Sequence, residues 1–372
     1  MGKASGAAWL FSRPADLLLL GVPVWATWLA CFSLPNEVLA RQLPLWIWAV
    51  VIVGIDVSHV WSTLFRTYLD PQEFRRHRLL LLRAPLVAFT IFFCLAGLST
   101  QWFWRVMAYL ALFHFVRQQF GFFALYAARF RRRQRHRLVG DSGIIYLATL
   151  YPVAHWHLSG ERNFSWFVDG DFLTASALPL EPLLTVANAA YWILIGFWCW
   201  EEIRGCRRQH LPLPAGKLLW LLTTAGTWYL GIVHFNSDIA FTLTNVVAHG
   251  VPYITLVAYY NHQKSMKPTG TGAGDGLPIA AAVRIWPRVG FMIGVILLLA
   301  CGEEYLWDML LFREKAALFA AAFAYPVEVL SAPAAQALAL ALLALPQVTH
   351  YIVDGFIWKN DERNPEMRAL LA

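Results

Sequence analysis

Apolar stretches of bilayer-crossing length recur along the whole chain. Crossing about 30 Å of hydrocarbon at about 1.5 Å per residue takes roughly 20 residues in a helix. Stretches near that length lie at 15–34, 43–65, 84–98, 102–128, 142–158, 183–203, 217–235, 238–260, 288–302 and 333–358. The pattern predicts an all-α polytopic integral membrane protein, a bundle of about ten transmembrane helices forming a single transmembrane domain over residues 1–372. Composition agrees: 58% of residues are hydrophobic and 14% charged, against about 25% charged in soluble chains. A water-soluble globular protein is excluded, and so is disorder, because 25 Phe, 18 Trp and 13 Tyr cannot stay solvated.

The net charge of +7 raises the question of nucleic acid, and the placement of the charges answers it. Threading the spans alternately puts 24 of the 30 Lys and Arg at the two ends and in loops 66–83, 129–141, 204–217 and 261–288. Under the positive-inside rule these are cytoplasmic, both termini are cytoplasmic, and 159–182 and 303–331 are extracytoplasmic. The membrane so described is a bacterial inner (plasma) membrane. Six Arg within 129–137 read as a stop-transfer anchor touching anionic lipid rather than as a nucleic-acid site. The segment 269–276 (TGTGAGDG) lacks the GK[ST] of a phosphate loop and reads as a linker. Gly290 and Gly294 form one GxxxG, a helix-packing motif. The five cysteines are scattered and imply neither disulfides nor a zinc finger, and nothing in the sequence sets an oligomeric state.

Ionisable side chains are costly inside a bilayer, so those that remain need a partner or a task. Four spans carry such residues in pairs: Asp56 and His59, His114 and Gln118 with Arg117 between them, Asn245 and His249, and His350 and Asp354. Offsets of three or four residues stack two side chains on one helical face. Counted from the cytoplasmic ends, His59 is 6 residues deep, His350 8, His249 11 and His114 14. At the helical rise that is about 9 to 21 Å, a single layer. Four imidazoles on four helices, each with a carboxylate or amide one turn away, predict a metal site in the bundle core. Asp56, Gln118, Asn245 and Asp354 would then orient the rings. Thr242, Asn245, His249 and Gln347, His350, Asp354 form equal polar stripes, which adds Gln347 to the cavity wall. Arg117 must face protein, pairing with Asp56 or Asp354 or holding an anionic substrate head. His155, His157 and His234 fall at the opposite face, where interfacial packing explains them.

Nitrogen ligands with few carboxylates suit Fe, Zn or Cu. Non-haem iron would activate dioxygen, three His with a water would make a zinc hydrolase, and two His on facing spans would ligate a haem. In the spacing of His59, His114 and His249 over residues 50–255, the chain resembles the membrane carotenoid-cleaving oxygenases of the Brp/Blh kind. The resemblance implies non-haem iron held by those histidines and an isoprenoid or other apolar, lipid-like substrate. Asn245 stands where that family has a second His, and HYIVDGFIW of the tenth span has no counterpart there. Similarity to the seven-span zinc ceramidases stops at a missing final HxxxH. The expected function is a membrane oxidoreductase in which Asp56 or Asp354 moves protons and Arg117 binds a substrate anion. The competing class is a proton-coupled transporter using the same residues as a relay, with helices broken at Pro252 and Pro346.

Overall fold

The computed structural model describes residues 9–130, 140–160, 162–174, 180–266, 278–320, 329–359, 362 and 364. The Arg-rich run from 131 to 137 and the linker 269–276 lie outside them. Among the described residues every regular element is helical. In chain order the long helices are α1 (Arg13–Ser33), α2 (Leu45–Arg66), α3 (Arg78–Leu98), α4 (Thr100–Arg129) and α5 (Asp141–Leu158). They are followed by α6 (Glu181–Arg208), α7 (Ala215–Trp228), α8 (Asp238–Lys264), α9 (Arg288–Phe312) and α10 (Pro333–Ile357).

Seven of these, α1, α2, α3, α6, α8, α9 and α10, are long and apolar enough to cross a membrane. The expected fourth, fifth and seventh crossings are helical but fall short of that standard. α4 carries Arg105, His114, Arg117, Gln118 and Gln119, and α5 carries Asp141, His155 and His157 in 18 residues. The outer faces are apolar: α3 exposes Leu79, Leu82, Leu86, Val87 and Ile91, and α6 exposes Leu183, Val186, Ile193 and Trp200. Water would not tolerate contiguous faces of this kind, whereas lipid would.

Where the hydropathy pattern implies one undivided bundle, the chain forms two compact units. The first comprises 1–45 and 111–252, with 371–372, and is tied by buried polar clasps. Tyr191 of α6, 1% exposed, donates to the Ala148 carbonyl of α5 or the Ala225 carbonyl of α7, at 3.0 and 3.1 Å. Trp25 and Trp28 of α1 donate to Thr223 and Thr227 of α7 at 3.0 and 3.1 Å. A Cβ at Gly226 would meet the Trp28 ring at 2.6 Å, so only glycine permits this approach. Lys217 pairs with Asp141 at 2.6 Å and Glu202 at 3.5 Å, neutralising charges that could not be buried singly.

The second unit comprises 46–110 and 253–370. Alanine-rich α10 packs closely on α3, with Leu81, Ala84, Val353 and Ile357 at the centre. Arg66, at the end of α2, is fully buried and paired with Glu73, itself fully buried. Its other guanidinium nitrogen donates to the Ile357 carbonyl at 2.9 Å, and its plane lies 4.1 Å from the Tyr260 ring centre.

Three expectations are corrected here. Segment 303–331 begins inside a helix, because α9 runs on to Phe312. Glu303 of that segment is buried and accepts from the Trp61 and Trp307 indoles at 2.7 and 3.4 Å. Gly290 and Gly294 are not in close contact among the described residues: a Cβ on either would meet none of their atoms within 4 Å. Pro252 sits inside an unbroken helix, Val247–Met266, whereas near Pro346 the helix is interrupted at Ala344.

Candidate metal centre

All four sequence-predicted histidines are buried, His59 at 1% exposure, His114 at 4%, His249 at 0% and His350 at 1%. A neutral imidazole carries a lone pair on one ring nitrogen, and that is the atom available to a ligand. The local backbone that delivers two of them is unusual. Residues Trp48–Val57, just before His59, and Thr242–Val246, just before His249, form wide π-helical turns. Such turns are rare and frequent at functional sites.

In the second unit His59 and His350 meet edge to face, ring centres 4.9 Å apart and planes at 78°. Asp56 Oδ1 lies 3.5 Å from His59 Nδ1, as the i, i+3 spacing predicted. His350 is served differently. Its Nδ1 lies 2.7 Å from Thr63 Oγ1 of α2, while Asp354 Oδ1 is 3.9 Å away. Thr63 Oγ1 is 3.0 Å from the Tyr253 hydroxyl, and that hydroxyl donates to Asp354 Oδ1 at 2.5 Å. Trp358 Nε1 donates to the same carboxylate oxygen at 3.1 Å. Asp354 thus reaches His350 through two hydroxyls. Tyr253 also presents its ring edge on to His350 at 5.0 Å and to His59 at 5.7 Å.

In the first unit His114 and His249 form a second edge-to-face pair at 5.0 Å and 83°. Phe115 stacks on His249 with ring centres 3.5 Å apart and planes within 11°. Trp166, from the segment between α5 and α6, packs on Phe115 at 4.9 Å. Gln118 does not orient His114 as expected. Its Nε2 donates to the His249 backbone carbonyl at 2.7 Å, tying α4 to α8. Asn245, within the wide turn over 242–246, donates to Thr244 Oγ1 at 3.1 Å and to the Phe241 carbonyl at 3.4 Å. The side-chain carbonyl oxygens of Gln118 and Asn245 are buried and accept no hydrogen bond from the described residues.

Arg117 is placed elsewhere. Arg117 is exposed, donating to the Tyr146 hydroxyl with its guanidinium 4.9 Å from the Phe120 ring centre. His114 and Gln118 share a face at i, i+4, and Arg117 lies about 100° round from Gln118, which turns it outward. Gln347 is half-buried and bonded to the Tyr351 hydroxyl one turn on. His157 Nδ1 is bound to the Val153 carbonyl at 2.8 Å and His234 packs on Phe235 at 4.7 Å. Among the described residues these two and His155 are not gathered into a ligand cluster.

The donor chemistry can be tested against the candidate groups. Within each pair one nitrogen of each ring lies within 4.8 Å of the other's, and among the described residues no thiol joins them. That suits a borderline metal ion such as iron or zinc. It does not suit a haem held between the members of a pair. Metal–nitrogen bonds of about 2 Å on opposite faces of a macrocycle put ring centres about 6 Å apart, and the edge-to-face contacts leave no slot for one.

Compared with known proteins, the chain matches no family model, no curated protein and no solved structure.

Proposed function

We propose that this protein is a membrane-embedded metalloenzyme whose ion is held by His59, His114, His249 and His350. The carrying observation is two edge-to-face pairs of buried imidazoles on helices where the sequence sets all four rings in one layer. Non-haem iron is the preferred ion, with zinc the alternative. The ion supplies Lewis acidity and, as iron, a site for dioxygen chemistry. The preferred activity is therefore oxidation of an apolar, lipid-like substrate such as an isoprenoid.

The chain's own contribution is enclosure and orientation. Phe115 fixes the plane of His249 by stacking, and Gln118 fixes its backbone. The His59 ring bonds to the Asp56 and Ile55 backbone carbonyls, and the Asp56 carboxylate, 3.5 Å from Nδ1, adds a favourable charge on that side. Apolar walls exclude water, which strengthens every charge interaction inside. Ten spans with both ends in the cytoplasm, in a bacterial inner membrane, complete the proposal, with α4, α5 and α7 crossing beside the seven strongly apolar helices.

The test is metal analysis of protein purified without chelator, followed by assays with and without dioxygen. One iron per chain, lost in His350→Ala and His249→Ala together with oxygen-dependent turnover, is expected. One zinc with oxygen-independent turnover would select the hydrolase, and no metal with pH-driven uptake into vesicles the transporter.

A further inference from the structure

His350 Nδ1 faces a hydroxyl, and a hydroxyl can either give or take a hydrogen bond. Which it does here decides which nitrogen of His350 is available to a ligand. The answer lies at the far end of the chain of contacts. Trp358 Nε1 is only ever a donor, and it points at Asp354 Oδ1. That oxygen therefore accepts, and it accepts from the Tyr253 hydroxyl as well. The Tyr253 proton being committed to Asp354, the phenol oxygen faces Thr63 only as an acceptor. Were the Thr63 proton turned instead toward His350, two oxygens 3.0 Å apart in a buried place would face each other with no hydrogen between them. Along this line of contacts the arrangement that leaves no facing pair without a hydrogen runs one way, from His350 Nδ1–H to Thr63, from Thr63 O–H to Tyr253, and from Tyr253 O–H to Asp354, with Trp358 Nε1 also 3.5 Å from the Tyr253 oxygen as a donor.

We infer that Thr63 and Tyr253 are positioning residues that hold His350 in the tautomer with Nδ1 protonated, leaving Nε2 as the atom offered to a metal. The geometry belongs to the second unit alone, while the consequence for binding rests on the proposed metal function. Asp354 acts through this line of hydroxyls as the anchor that sets its direction.

Two measurements test it. In metal-free protein labelled with 15N-histidine, and with the His350 signals identified by their loss in His350→Gln, the nitrogen shifts should show Nδ1 protonated and Nε2 unprotonated. Tyr253→Phe removes the acceptor for the Thr63 proton, so that proton turns to His350 and the tautomer should invert. Loss of packing alone would not produce an inversion. Titration with Fe(II) and Zn(II) should show Thr63→Val binding 10- to 100-fold more weakly, the usual cost of losing such a partner, with Thr63→Ser close to wild type. Nε2–H in the wild-type protein, or an unchanged tautomer in Tyr253→Phe, would overturn the inference. So would wild-type affinity in Thr63→Val. If the wild-type protein binds no metal, the metal function falls, and the tautomer measurement still decides the positioning role by itself.

Discussion

Changing Glu73 to Gln tests how the helix that carries His350 is anchored. Arg66 and Glu73 are both fully buried, and among the described residues Glu73 is the carboxylate paired with this guanidinium. Arg66 in turn holds the last turn of α10 through the Ile357 carbonyl and lies 5.3 Å from the Trp358 ring centre. Glu73→Gln keeps the shape and one hydrogen bond but leaves the buried guanidinium without a counter-charge. Breaking a buried pair from one side costs about 3–5 kcal/mol. At about 2–4 °C per kcal/mol for a unit of this size, the melting midpoint should fall by roughly 6–20 °C. Tryptophan fluorescence melts in detergent would measure it, since Trp358 sits on the pair. The double change Arg66→Met with Glu73→Leu should recover most of the loss, because it removes both charges and fills the space. Arg76 and Lys264, which also contact Glu73, keep side-chain exposures of 21% and 22% and remain partly solvated. A shift under about 4 °C for Glu73→Gln, or a double variant less stable than the single, would refute the reasoning.

Other changes should read out separately. Burial pushes the His77 imidazole down, outweighing the bond to Asn364 and the nearby Glu73. The folded state therefore prefers neutral His77, its contribution is present above the ordinary pKa near 6.5, and stability is lost as pH falls below that value. His77→Gln should flatten that part of a melting-versus-pH curve, and an unchanged slope would count against the assignment. Gly231→Ala places a Cβ 2.2 Å from both Asn245 Nδ2 and Thr244 Oγ1, so overpacking of about 1–3 kcal/mol and a displaced Asn245 should result; equal thermal stability would contradict this. If an ion is bound at 100 times its dissociation constant, chelation should remove about 2.7 kcal/mol of stability, and an identical melt with and without chelator would speak against a resident metal.

The helical class and the burial of the four histidines were legible because apolar length and polar pairing are local properties of the sequence. The partners were less so. The i, i+3 rule places the Asp56 carboxylate 3.5 Å from His59, whose ring bonds instead to backbone carbonyls, and the i, i+4 rule ties His350 to Asp354, whereas the ring meets Thr63 from another helix. A signal was present: Asp56, His59 and Thr63 stand at i, i+3 and i+7, the offsets noted for Thr242, Asn245, His249 and for Gln347, His350, Asp354. Tyr253, one turn beyond His249, extends the same row. For Gln118, spacing says which face the side chain shares and not that it reaches a neighbour's backbone. For Arg117, the cost of a charge in lipid predicts a protein-facing side chain, whereas its angle on the helix turns it outward to Tyr146. At Glu303 a charged pair ends the apolar run, yet α9 continues to Phe312 and two indoles meet the carboxylate.

The wide turns ahead of His59 and His249 make helix length, rather than residue identity, the sensitive variable. Substituting one apolar residue for another within Trp48–Val57 or Thr242–Val246 leaves the angular phase of the downstream turns intact. Deleting a single residue there would swing every later side chain by about 100° around the axis, carrying the imidazole off its mark while the hydropathy of the span hardly changed. Drift among relatives of this chain should accordingly be generous in composition across these two stretches and intolerant of one-residue gaps, the reverse of what a surface loop permits.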